Sequence, residues 1–357
     1  MIPTSDLPLQ LAITAVLVLT AFTLSFMGYA FLLHLRSLRV ERQRRALEDR
    51  WKGRLLDAAT GDSAAAPDRD SPRAEAPEID EDDRVLFLEL VTKYARALEG
   101  PERQNIERVG RPYLGALDPL MDDPDAYRRA YALDILGELG YEEGRTRIAK
   151  GLEDESGLVA MVAARALARH GDPSHVPLLL SRLETFESWS ANYLSSLLVS
   201  FGPGASPVLR ELASDPAAKS RFRSIAFQAL RELHDIESVE PAARLLPQED
   251  DPEVQAEIIR LIGALGGPGQ LAGIRPFATS SAAHVRALAL RAISNLSDRR
   301  TSDVEMVSAG LDDPSPWVAL QAAHGLLALG RSEELKDLAH STSPRAPLAA
   351  EVLESAR

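Results

Sequence analysis

Seven residues, Gly140, Gly171, Gly202, His234, Gly266, Ser297 and Gly330, close successive copies of one pattern at intervals of 31, 31, 32, 32, 31 and 33 residues. A fixed period in the thirties marks a stacked helical array, because each unit leaves an apolar face that only its neighbours cover. Four places before each closer stand Leu136, Leu167, Leu198, Leu230, Ile262, Ile293 and Leu326. Just before it stand Leu139, His170, Phe201, Leu233, Leu265, Leu296 and Leu329, and eight before it the mostly small Ala132, Ala163, Leu194, Ala226, Ile258, Ala289 and Ala322. These spacings put all three columns on one helical face and read as core. Lead-in stretches such as 176–183 and 208–212 carry a second amphipathic pattern after Gly or Pro, so each repeat reads as a helical hairpin.

Val285-Arg-Ala-Leu-Ala-Leu-Arg-Ala-Ile-Ser-Asn-Leu-Ser297 and Val254-Gln-Ala-Glu-Ile-Ile-Arg-Leu-Ile-Gly-Ala-Leu-Gly266 resemble the second helix of a HEAT repeat, in particular the short phycobilisome-lyase type. Asp122-Asp-Pro124, Asp251-Pro252 and Asp312-Asp-Pro314 resemble that family's inter-helix turn, and the likeness runs over about residues 122–330. It implies an all-α solenoid of about seven hairpins with the second helices on the concave side. It also implies that Arg129, Arg223 and Arg286, eleven places before their closers, bond the turns; Ala160 and Ala191 replace that arginine in repeats 2 and 3.

Residues 7–33 hold no charged side chain, and a helix of that length, at about 1.5 Å per residue, would span a bilayer. Arg36, Arg39, Arg42, Arg44, Arg45, Arg50, Lys52 and Arg54 follow, whereas only Asp6 precedes. The expectation is one N-terminal transmembrane helix, N-terminus outside, with the repeats on the cytoplasmic side and Arg36, Arg39, Arg42, Arg44 and Arg45 on an anionic membrane surface, helped by Leu47 and Trp51. A cleaved secretory signal ending at Gly28-Tyr-Ala30 is the alternative; the missing basic n-region and the length of the apolar run argue against it.

The expected organisation is an anchor over 1–35, a basic juxtamembrane helix over 36–56, an acidic disordered linker over 57–83, capping helices over 84–121, repeats over 122–340 and a C-terminal capping helix over 341–357. The formal net charge of −13 divides as −1 for residues 1–33, +5 for 34–54, −8 for 55–83 and −9 for 84–357. A net-negative repeat region argues against nucleic acid as the ligand. The absence of cysteine fits a reducing cytoplasm and equally a periplasmic protein without disulfides, and the Ala-, Arg- and Leu-rich composition suggests a bacterial chain.

Six places before the closers lie Asp134, Arg165, Ser196, Gln228, Arg260, Arg291 and His324, polar in every repeat amid apolar neighbours. Such a column must face solvent or a ligand. Thirteen before lie Tyr127, Leu158, Trp189, Arg221, Glu253, His284 and Trp317; nine before lie Tyr131, Val162, Tyr193, Ile225, Glu257, Leu288 and Gln321. Together with Arg169 two before, they give a candidate partner-binding set of Tyr127, Tyr131, Arg165, Arg169, Trp189, Tyr193, Arg260, Arg291, Trp317 and His324. Aromatic and arginine residues are the usual hot spots of protein interfaces. The rings would serve equally well as seals between adjacent helices.

No histidine is followed by glutamate, so the paired His-Glu dyads of a HEAT-like metal hydroxylase are missing, and no Walker loop, Gly-x-Ser-x-Gly or His-Glu-x-x-His motif occurs. No catalytic residue, metal or cofactor is indicated. The expected function is a membrane-tethered, non-enzymatic adaptor holding a membrane-associated protein, by analogy in an envelope or polysaccharide-synthesis complex. Nucleic-acid binding and bilin-lyase or chaperone action are the alternatives.

Overall fold

Asp125, Ser190 and Asp251 start the second helices of their repeats by accepting hydrogen bonds from Tyr127 N (2.9 Å), Tyr193 N (3.2 Å) and Glu253 N (2.9 Å), each satisfying a backbone donor that the helix leaves open. In the computed structural model residues 7–60, 79–297 and 300–355 are described, with side chains given only in part within the first helix and within Tyr141–Gly151. Among the described residues every regular element is helical. The major helices are α1 (Leu7–Thr60), α2 (Arg84–Arg96), α3 (Gly100–Gly110), α4 (Ala126–Leu139), α5 (Gly157–Arg169), α6 (Ala191–Val199), α7 (Ser220–Glu232), α8 (Pro252–Leu265), α9 (Ala283–Leu296), α10 (Pro316–Ala328) and α11 (Ala346–Ser355). The chain divides into two compact units, Met1–Gly144 and Arg145–Arg357. Most of the linker expected over 57–83, residues 61–78, lies outside the described residues.

In the second unit, α5 to α10 are the second helices of successive repeats, and each packs on the next. Leu167, Leu198, Leu230, Ile262, Ile293 and Leu326 are all at most 1% exposed, as the four-before column requires. The closers end these helices in two ways. Gly171, Gly202, His234 and Gly330 take left-handed backbone (φ 65°, 74°, 55° and 77°), the conformation that lets a chain turn off a helix. Gly266 and Ser297 instead donate back to Ile262 O (2.7 Å) and Ile293 O (2.9 Å). His170, placed in a core column by its spacing, is exposed. It caps α5 at a point where the chain is already leaving the packed face.

Guanidinium groups tie neighbouring repeats. Arg286 donates to the turn carbonyls of Ser280 (2.9 Å) and Ser281 (3.1 Å) and grips both oxygens of Asp313 in the next repeat (2.8 and 2.9 Å). Arg223 joins Ala213 O (3.3 Å) to Glu249 (2.5 Å). Arg275 holds both oxygens of the fully buried Asp303 (2.7 and 3.1 Å), which also accepts from the Ser297 hydroxyl (2.7 Å). Arg275 keeps the Asp303 carboxyl below its usual range, so the pair stays charged inside the stack.

In the first unit, Arg129 donates to Asp123 O (2.9 Å) and Pro124 O (3.1 Å), the same turn bonding as Arg286. Within the capping region expected over 84–121, the stretch after α2 is broken into short pieces. α3 ends at Gly110, a 3-10 segment covers Arg111–Leu117, and a short helix covers Asp118–Met121. Pro112 and Pro119 account for the interruption, because each lacks a backbone donor.

Among the described residues no helix is long and apolar enough to cross a membrane, which overturns the expected single-pass anchor and, with it, the expected placement of the N-terminus outside and the repeats on the cytoplasmic side. α1 is not a separate apolar span. Its described uncharged part includes Thr20, Thr23, Ser25 and Gly28, and the same 54-residue helix runs without a break into the charged stretch and packs its last turns on α2 and α3. Leu47, Trp51, Leu55 and Ala59, one helical turn apart, are 7%, 5%, 1% and 5% exposed. Trp51 meets Phe87 edge-on at 5.2 Å, and Phe87 meets Tyr113 at 5.4 Å. Leu47 and Trp51 are therefore core residues, not membrane-surface contacts. Arg44 pairs with Glu89 on α2 (2.7 Å), beside the Glu48–Lys93 pair (2.7 Å). Arg42 and Arg45 are exposed, and the side chains of Arg36 and Arg39 lie outside the described residues. Trp51→Ala should cost about 3–5 kcal/mol in denaturant unfolding, the range for emptying a buried aromatic site; a loss below about 1 kcal/mol would place the ring at the surface.

Candidate partner-binding face

The six-before column is unburied in every repeat: Arg165, Ser196, Arg291 and His324 are exposed, and Asp134, Gln228 and Arg260 are half-buried. The apolar columns that bury α5 to α10 against one another thereby turn this polar one outward.

The first unit spends two of its predicted site residues, Tyr131 and Arg44, on its own packing. Tyr131 donates its hydroxyl to Glu89 (2.9 Å), which also receives Arg44 (2.8 Å). Burial, and then the Glu89 carboxylate, push the Tyr131 hydroxyl above the usual tyrosine range, so it stays a donor. Asp134 accepts from Arg96 (2.5 Å), and the buried Glu138 takes Arg96 on one oxygen and Arg103 on the other (both 2.9 Å). These carboxylates belong to a clamp between α4 and the capping helices α2 and α3. Tyr127 stands apart from it, with 76% of its surface exposed.

In the second unit, Trp189 and Tyr193 are half-buried with ring centroids 5.3 Å apart. The Arg221 guanidinium donates to the carbonyls of Glu187 and Trp189, fixing the turn that carries the indole. Arg165 and Arg169 are exposed on α5, and Trp317, 39% exposed, opens α10. Ile225 and Leu288, in the nine-before column, are core residues at 1% and 6% exposure.

Between these ends lies a cleft of about 290 Å³ on α6 to α9, where Gln228, Arg231, Glu257, Arg260, Arg291 and Asn295 converge. Arg260 pairs with Glu257 one turn before it, and Gln228 bridges Asn192 and Glu232 (both 3.1 Å). Gly263 sets the depth: a Cβ there would lie 2.9 Å from the Ala292 Cβ, so the missing side chain lets α8 and α9 close. Burial pushes the Glu257 carboxyl above its usual range, only partly offset by Arg260 and Arg231, and its Oε2 has no hydrogen-bond partner. Arg260 and Arg291 follow from the six-before column. Arg231 does not, although a signal was present. It stands three before its closer, where the neighbouring repeats carry Gly263 and Ser294.

Among the described residues no group of three or more His, Cys, Asp or Glu side chains is placed to hold a metal ion.

Residues 115–192 match the HEAT repeat family. The match covers less than half of the chain. Similar solved structures include Kap121p (14% identity, TM-score 0.47, covering 87% of this chain and 42% of that one) and the karyopherin Kap121p bound to the extreme C-terminus of the protein phosphatase Cdc14p (14%, 0.46, 84% and 41%). Human deoxyhypusine hydroxylase in complex with glycerol is similar at 16% identity and TM-score 0.30, covering 69% of this chain and 97% of that one. The chain thus spans about two fifths of the karyopherin's length. No curated protein matches the sequence.

Because the folded state holds the Glu257 proton more tightly than the unfolded chain, ionisation opposes folding as pH rises through the native pKa. Glu257→Gln should therefore match the wild-type thermal midpoint near about pH 4 and exceed it near about pH 8. A midpoint falling below wild type as pH rises would show that the charged form is the stabilised one.

Proposed function

We propose that this chain is a non-catalytic HEAT-type scaffold that holds a protein partner on the face formed by its second helices. HEAT-type solenoids are typical protein-interaction scaffolds. One observation carries the reading. Within the Arg145–Arg357 unit, a column that stays polar and unburied from α5 to α10 accompanies exposed Trp317, Arg165, Arg169 and Arg291 on the same helices. An interface gains from exposed aromatic and guanidinium side chains, which bury large areas and still satisfy a polar edge. The net charge of −9 over residues 84–357 disfavours a phosphate polymer along that face.

The test is a triple variant, Ser196→Arg, Trp317→Ser and His324→Glu, which changes the face outside the central cleft. Capture of the cognate partner should fall at least about tenfold, equivalent to about 1.4 kcal/mol, at an unchanged thermal midpoint. Undiminished capture of the same partner would move the binding surface off the second helices.

A further inference from the structure

The cleft on α6 to α9 carries three guanidinium groups, Arg231, Arg260 and Arg291, against one carboxylate, Glu257. Arg291 is exposed and makes no ion pair among the described residues. Arg231 lies 3.9 Å from Glu232 and within the field of Glu257, and its buried Nε has no hydrogen-bond partner. Arg260 shares its charge with a carboxylate that burial drives toward its neutral form. The amides of Gln228 and Asn295 lie in the same cleft. The cleft thus offers cationic forks for anions, and side-chain amides for a peptide backbone.

We infer that this cleft binds an extended acidic segment of a protein partner, with carboxylates three residues apart. The inference rests on the second-helix face being the binding face and names the ligand class for its centre. Arg260 and Arg291 occupy the same column on adjacent packed helices, whose axes in general lie about 8–10 Å apart. A polyproline II chain rises about 3.1 Å per residue and returns to the same face every third residue, about 9 Å on. Carboxylates at positions i and i+3 therefore match the usual spacing of the helices that carry the two arginines, and bidentate guanidinium pairing suits them. The net-negative repeat region opposes a continuous phosphate backbone, but admits a segment with two isolated charges.

The experiment is fluorescence anisotropy of the full-length protein with a labelled proline-rich peptide carrying Glu at i and i+3. Its comparators are the Gln-for-Glu peptide, an i/i+1 peptide and a single-stranded oligonucleotide. The i/i+3 Glu peptide should bind at least tenfold more tightly than the Gln and i/i+1 peptides, weaken with salt, and lose at least tenfold with Arg291→Glu at an unchanged thermal midpoint. Asn295→Ala should weaken it by a smaller factor. Equal binding of the Gln or i/i+1 peptide, indifference to Arg291→Glu, tighter binding of the oligonucleotide, or no peptide binding would each overturn the inference. If the peptide fails while the Ser196, Trp317 and His324 variant still loses its partner, the acidic ligand falls and the second-helix face stands. If both tests fail, the face falls with it.

Discussion

Each second helix is buried by the one before it and the one after it, and nearly everything else in the Arg145–Arg357 unit follows from that constraint. Packing identical faces in series needs the same apolar columns every 31 to 33 residues, and those columns are at most 1% exposed at the four-before position from α5 to α10. Apolar burial alone fixes distance better than register, since it is roughly proportional to area and has no direction. Register is set by the directional contacts Arg223–Glu249, Arg275–Asp303 and Arg286–Asp313, which span 26 to 28 residues and join one repeat to the next. Removing one partner from the buried Arg275–Asp303 pair would strand a charge, a loss larger than the net value of the pair.

The same geometry makes the proposed binding face. A helix that buries two sides between neighbours and a third against its own lead-in helix leaves one stripe, and the repeat carries that stripe from α5 to α10. In the middle of the array the stripe is cationic and amide-rich; at Trp189, Tyr193 and Trp317 it is aromatic. The close approach of α8 and α9 at Gly263 gives the central part its depth.

The solenoid was legible because the signal is periodic: Gly171, Gly202, His234 and Gly330 mark left-handed helix ends, and local spacing assigns Leu230 or Ile262 to the core. What failed was whatever depends on distant chain. Leu47, Trp51, Leu55 and Ala59 form an amphipathic stripe whichever surface covers it, and spacing cannot tell a lipid surface from α2 and α3. Tyr131 and Asp134 read as open face residues because the groups that take them up, Glu89 and Arg96, lie 42 and 38 residues away and outside the repeat. Within the cleft, Arg260 and Arg291 follow from their column. Arg231 was missed because it occupies a position where neighbouring repeats carry small residues, and the desolvation of Glu257 emerges only when four helices are assembled.

The most direct measurement of the account is a position-resolved crosslinking scan. A photoreactive residue is placed in turn at Ser196, Arg291 and His324 on the second-helix face, and at the exposed Glu240 and Glu305 on the lead-in helices. The account predicts that the partner crosslinks from the first three positions and from neither of the others. Crosslinks concentrated at Glu240 and Glu305 would contradict it and make the outer face the working surface of the array.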